Sequence, residues 1–234
     1  MHHQELNMPR SFEMQHVYYG PEYSDGEVLC DLEAAGCTYH KLTEQELISS
    51  TAGAIAKGKI VGWFQGRMEF GPRALGNRSI ISDPRRKDMK DILNSRIKYR
   101  EPFRPFCPSI LAETVGEYFE TDYPSPFMVV AYKIRPLQRA QIPAVTHGDG
   151  TGRLQTVKRE ENPLYWKLIH KFKELTRMPV LLNTSFNVAA EPIVNRAVEG
   201  YLTFRRCGID ALVAGPYLVT KNAARGTTLQ EGLT

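Results

Sequence analysis

The stretch from Thr43 to Phe64 constrains the fold most. EQELISSTAGAIAK reads as a helix with Thr43 at its N-cap, with Leu47, Ala54 and Ile55 on one side, and Gly58 stops it. IVGWF (60–64) follows at once as a buried strand. A capped helix feeding an apolar strand recurs along the chain. In SDPRRKDMKDILNSRI, Asp83 takes the N-cap position and Pro84 the first helical position, with Met89, Ile92, Leu93 and Ile97 on one apolar face. PFCPSIL (105–111) and FMVVAYKI (127–134) read as strands, and Pro108 places the first at an edge or a bulge. Asn162 and Pro163 open the helix PLYWKLIHKFKELTR, whose Leu164, Leu168, Phe172 and Leu175 form a stripe. PVLLN (179–183), a helix from about Ala197 to Gly208, and ALVAG with YLV complete the pattern. With no repeat and no low-complexity linker inside it, 44–220 is expected to be a single mixed α/β domain. Residues 1–43 are expected to be an arm and linker, and 221–234 a flexible tail.

Other classes fall away on composition. No apolar run approaches the ~20 residues that span a bilayer, and MHHQELNMPR is no signal peptide, so a soluble cytoplasmic protein is expected. Cys30, Cys37, Cys107 and Cys207 contain no C-x-x-C pair, so reduced thiols are expected. No metal site is expected, and His2 and His3 at the terminus are not read as one. The net charge is +4, yet residues 67–104 alone carry eleven Arg and Lys against five Asp and Glu. That block suits an anionic ligand, either a phosphate-bearing small molecule or a nucleic acid.

Four motifs could carry chemistry. GRMEFGPRALGNRSI interleaves Gly66, Gly71 and Gly76 with Arg67, Arg73 and Arg78. Glycines let the backbone approach a ligand, and arginine forks match phosphate or carboxylate oxygens; the plain alternative is a surface loop with solvated arginines. No Lys-Ser/Thr follows the glycines, so it is not a P-loop. KYREPFRPF holds Lys98, Arg100 and Arg104 among prolines that fix the backbone, which makes a preorganised cation cluster or a charged edge strand. THGDGTGRLQ is a tight turn into a strand, with Arg153 facing a ligand and His147 either a general acid or base or a turn residue. NTSFNV puts Asn183, Ser185 and Asn187 at the end of a buried strand, where α/β sheets place ligand contacts. No G-x-S-x-G or adjacent base accompanies Ser185, so binding is favoured over nucleophilic catalysis.

In this order, GWFQGRMEFGPRALGNRSI, KYREPFRPF, IPAVTHGDGTGRLQTV and MPVLLNTSFNV with EPIV resemble the C-terminal domain of the NodU and nebramycin-synthetase type carbamoyltransferases over roughly residues 44–220. HVYYGPEYSDGEV (16–28) resembles the segment joining that domain to the preceding one. The resemblance implies a YrdC/Sua5-like open twisted sheet, mostly parallel or mixed, flanked by helices. It implies an enzyme that forms carbamoyl-adenylate from carbamoyl phosphate and ATP, with Mg2+. Carried over by residue, Lys98 and Arg104 are catalytic, and Arg73, Arg78, Arg100, Arg153, Ser185 and Asn187 bind substrate.

Two departures bear on this. The family's members usually carry a longer Kae1-like domain that holds iron and completes the transfer, and 234 residues are too few to encode it, so a Kae1-like domain or protein is the expected partner. Ala189-Ala190 also stands where the family generally has Gly before Glu-Pro; a positive φ there strains Ala190 by about 1 kcal/mol or more. The competing readings are an RNA-binding YrdC-like module and an inactive relic. Only Phe70, Tyr99 and Phe103 interleave with the cations, which argues against a nucleic-acid track.

Overall fold

The computed structural model describes residue 9 and residues 13–221; His2, His3 and the tail beyond Lys221 lie outside the described residues. An eight-stranded mixed sheet carries the fold. Its strands, in chain order, are β1 (His40–Lys41), β2 (Val61–Phe64), β3 (Arg78–Ser82), β4 (Cys107–Leu111), β7 (Gln155–Val157), β8 (Val180–Ser185), β9 (Ala211–Ala214) and β10 (Tyr217–Thr220). Their spatial order is β1-β10-β9-β2-β3-β8-β4-β7. The pairs β2/β9 and β4/β7 are parallel and the others antiparallel, so of the two expected forms the sheet takes the mixed one. β5 (Ala131–Lys133) and β6 (Thr151–Arg153) make a separate antiparallel pair.

Helices cover both faces. Alternation along β2 points Trp63 and Gly62 to opposite sides. Trp63 Nε1 donates to Gly76 O on the side of α6 (Pro163–Thr176), which packs against α2 (Glu44–Ala56). Gly62 faces Phe186 and α7 (Ala197–Arg206), which packs against α1 (Asp25–Ala34). A Cβ on Gly62 would stand 2.7 Å from the Phe186 ring, so only glycine fits.

Local signals held where the capping chemistry was local. Thr43 and Glu46 form the reciprocal capping box of α2, and Asn162 caps α6 by accepting from Tyr165 N. Elsewhere the reading needs correction. The helix expected from Pro84 begins at Met89 as α3 (Met89–Leu93), because Asp83 spends its carboxylate on the backbone N–H and guanidinium of Arg85 and closes a turn instead. β4 is interior rather than an edge; Pro108 is tolerated because β7 pairs only from Ser109 onward. The run 127–134 yields only the short β5, with Val129 and Val130 exposed. The buried stripe of α6 is Tyr165, Leu168, Ile169 and Phe172, while Leu175 is half exposed. Residues 25–41, read as arm and linker, supply α1 and β1 to the folded body, with Asp31 and Arg196 joined at 2.5 Å. Among the described residues no helix is long and apolar enough to cross a membrane, and all four cysteines are free thiols.

Candidate active site

The antiparallel neighbours of β8 bring the N-terminal ends of β3 and β4 beside its C-terminal end, where Ser185 lies. Ser79 pairs with Ser185 and Cys107 with Asn183. Lys98 reaches this end from the last residue of a π-helical turn (Asn94–Lys98) that continues α3, and Tyr99 at φ 44 turns the chain sharply after it. π-turns place a side chain where an α-helix could not.

Lys98 is buried, and its Nζ donates to Ser185 O (2.7 Å), Asn187 Oδ1 (2.8 Å), Asn187 O (2.9 Å) and Ser185 Oγ (3.3 Å). Ser185 Oγ in turn donates to Asn187 Oδ1 at 2.7 Å. Burial first, and then the charge of Arg100, push the Lys98 ammonium down to about 7, whereas the four oxygens around it favour the protonated form. Lys98, Ser185 and Asn187, expected together, are together.

Beside them stands a second group around Cys107. Arg153 Nε and Nη2 donate to Cys107 Sγ at 3.1 and 3.0 Å. Burial raises the Cys107 thiol, while the charges of Arg153, Arg73 and Arg100 pull the other way. Arg73 is lowered by burial and then by Arg153; Arg100 is lowered by burial and then by Arg104 and Arg153. Arg73, Arg100 and Arg153 thus gather around the Cys107 sulfur, with Arg104 joined to them through Arg100. Arg100 also lies over the Phe106 ring at 4.8 Å. Arg104 is the most open member, more than half exposed and 3.5 Å from Glu101.

Arg78 does not join the cluster. Its guanidinium is buried against Phe64, 3.7 Å from the ring centroid, and donates to Gln65 O, Asn77 O and Gly66 O. Burial lowers it to about 10, against the opposing pull of Glu69. Arg67 faces away to Glu22. The loop between them is shaped from within: Glu69 Oε1 accepts from Leu75 N, Asn77 N and Arg78 N. Gly66, Gly71 and Gly76 all have positive φ, and a Cβ on Gly76 would fall 2.3 Å from Tyr165.

Asn183 lies under the site and not in it. Its Nδ2 donates to Ala74 O, Ser109 Oγ and Gln155 Oε1 in a buried network that supports the Arg73 loop. His147 serves the turn, with Nδ1 3.0 Å from Thr151 Oγ1. Sequence reasoning missed Asn94, Phe106 and Cys107; Asn and Cys in apolar runs carry no signal that separates a core residue from a contact of a site arginine. Among the described residues no group of three or more His, Cys, Asp or Glu is placed to hold a metal ion.

A profile of the family described as "Carbamoyltransferase C-terminus" matches residues 52–221. Nodulation protein NolO of Bradyrhizobium diazoefficiens is 45% identical over 226 residues, covering 94% of this chain and 41% of that protein. The 3'-hydroxymethylcephem-O-carbamoyltransferase of Amycolatopsis lactamdurans is 37% identical over 195 residues, covering 82% of this chain and 36% of that protein. The chain thus spans less than half the length of either relative. Among solved structures, full-length HypF in its phosphate- and nucleotide-bound form aligns with a TM-score of 0.52 at 16% identity, over 74% of this chain and 25% of that one, a likeness of fold.

Proposed function

The chain belongs to the carbamoyltransferase C-terminus family, and on that premise we propose that it is the part of a carbamoyltransferase that binds ATP and carbamoyl phosphate and makes carbamoyl-adenylate. The observation that carries this is the meeting of Arg73, Arg100, Arg104 and Arg153 in one cluster next to Lys98, Ser185 and Asn187. Like charges gathered at a strand end are repelled by one another, and an anion relieves that repulsion.

In the proposed reaction water cleaves carbamoyl phosphate to carbamate and phosphate. A carbamate oxygen then attacks the α-phosphorus of ATP, the α–β bridging P–O bond breaks, and pyrophosphate leaves with the electron pair. Positioning and neutralisation of phosphate charge dominate such steps, and guanidinium and ammonium groups supply both. Lys98 and Arg104 are the proposed catalytic cations; Arg73, Arg100 and Arg153, with Ser185 and Asn187, hold substrate. Among the described residues no group of three or more His, Cys, Asp or Glu gathers, so Mg2+ would be held chiefly by the nucleotide's own phosphates. The carbamoyl acceptor and the iron belong to a Kae1-like domain or partner in this reading, docked near Gly66–Arg78 and segment 16–28.

Calorimetry with each ligand, followed by release of pyrophosphate when both are supplied, tests the reading. Lys98→Ala and Arg104→Ala are expected to abolish binding, and Ser185→Ala to weaken it less, since a neutral hydrogen bond contributes about 0.5 to 1.5 kcal/mol against about 1.5 to 3 for a charged one. Absence of binding of either ligand at millimolar concentration overturns it.

A further inference from the structure

Several arginines outside the site meet carboxylates, Arg85 meeting Asp83 at 2.6 Å, Arg86 meeting Asp88 at 2.6 Å and Arg196 meeting Asp31 at 2.5 Å, while Arg78 and Arg139 meet backbone carbonyls. Inside it the arrangement differs. Arg100 Nε donates to Asn94 Oδ1 at 2.9 Å, Arg153 donates twice to the Cys107 sulfur, and Lys98 donates to the neutral oxygens of Ser185 and Asn187. Among the described residues one site cation stands within ion-pair distance of a carboxylate, Arg104 at 3.5 Å from the solvent-exposed Glu101, whose charge also reaches Arg100 weakly. A neutral acceptor orients a cation without cancelling its charge, so the field stays available to a ligand.

Asn94 does more than this for Arg100. It is 2% exposed at the first residue of the π-turn that ends in Lys98. Its carbonyl oxygen accepts from Arg100 N at 3.3 Å, and its Nδ2 lies 3.4 Å from both Pro102 O and Arg104 O. One buried amide thus ties the loop bearing Arg100 and Arg104 to the turn bearing Lys98. We propose that Asn94 is a positioning residue that aims Arg100 and anchors the Arg104 loop through neutral contacts, keeping the cations uncompensated for the anionic substrate.

The inference rests on the proposed binding of carbamoyl phosphate, and a mutant cycle on the full chain separates the two. Arg100→Ala and Asn94→Ala are each expected to weaken carbamoyl phosphate about tenfold, the size of one charged hydrogen bond. The double variant is expected to be weaker than either single but well short of the product of the two losses, because Asn94 acts partly through Arg100 and partly through the Arg104 loop. Full additivity overturns the proposal, whereas an Arg100→Ala variant that binds normally overturns the cation-cluster reading itself. Asn94→Asp conserves the volume and the acceptor for Arg100 while adding a negative charge. It is expected to remain folded, with its melting temperature measured alongside, and to bind at least tenfold more weakly. Wild-type affinity in Asn94→Asp overturns the proposal even if Asn94→Ala does not fold.

Discussion

Ala190 sits at φ 61, the positive angle that made its position a question in the sequence. An L-residue with a Cβ is strained there by about 1 to 2 kcal/mol relative to glycine, partly offset by glycine's larger unfolded-state entropy. Ala190→Gly is therefore expected to stabilise the chain by about 1 kcal/mol and raise Tm by about 2 to 4 °C in calorimetry. An unchanged or lower Tm would mean that the turn relaxes without cost. Lys98 carries the pH dependence. With its ammonium lowered to about 7, the fraction of the cation in the free protein falls as pH rises above 7. A bound phosphate favours the charged form, so binding takes up a proton and affinity is expected to fall by up to about tenfold per pH unit from 7 to 9. Phosphate groups with a second pKa near ~6 are already ionised across that window and add no slope of their own. Titration calorimetry at pH 7, 8 and 9 checks it, and Lys98→Gln is expected to bind weakly with no slope; a wild-type profile flat over that range rules out Lys98 as the titrating contact.

At the scale of elements, Arg78 shows why a motif residue need not face the ligand its motif serves. It clamps the start of β3 to the carbonyls of Gln65 and Gly66 beyond β2, and lies on the Phe64 ring. Arg78→Ala is expected to cost about 3 kcal/mol through unpaired carbonyls and the lost ring contact, with Tm lower by about 6 to 12 °C. Binding of carbamoyl phosphate by the folded fraction is expected to survive; loss of binding at unchanged Tm would return Arg78 to the ligand side. The chain's own spacing placed it beside Arg73, because glycine and arginine interleave identically whether a guanidinium turns in or out. Legible elements were those whose determinants are local, as with Thr43 and Glu46 at α2 or Asn162 and Pro163 at α6. The late start of α3 was not legible, since it depends on Asp83 closing a turn on Arg85 through both the backbone N–H and the guanidinium. In the site, charged residues at strand ends could be read in order, whereas the neutral groups that orient them, Asn94 and Cys107, are specified by packing across separate elements.

For the whole molecule, the proposed function raises the fate of the activated carbamoyl group it would make. A carbamoyl-adenylate is a mixed anhydride open to water, so a protein that makes it in one place and uses it in another must enclose the path between them. Here the cation cluster lies at an open rim, with Phe70, Tyr99 and Phe103 exposed in the two motifs that carry Arg73, Arg100 and Arg104. Segment 16–22 runs along the glycine-arginine loop, pairing Gly20 N with Met68 O, Met68 N with Pro21 O and Phe70 N with Val17 O. Tyr18 Oη donates to Leu75 O at 2.9 Å, so segment 16–22 is tied to the Arg73 loop. Given ATP, carbamoyl phosphate and a hydroxyl or amine acceptor, the purified chain is expected to release pyrophosphate and phosphate while the acceptor is recovered unmodified, as followed by mass spectrometry. A carbamoylated acceptor formed with no second protein present would show that this part of the molecule completes the transfer by itself and that the rim is an acceptor site.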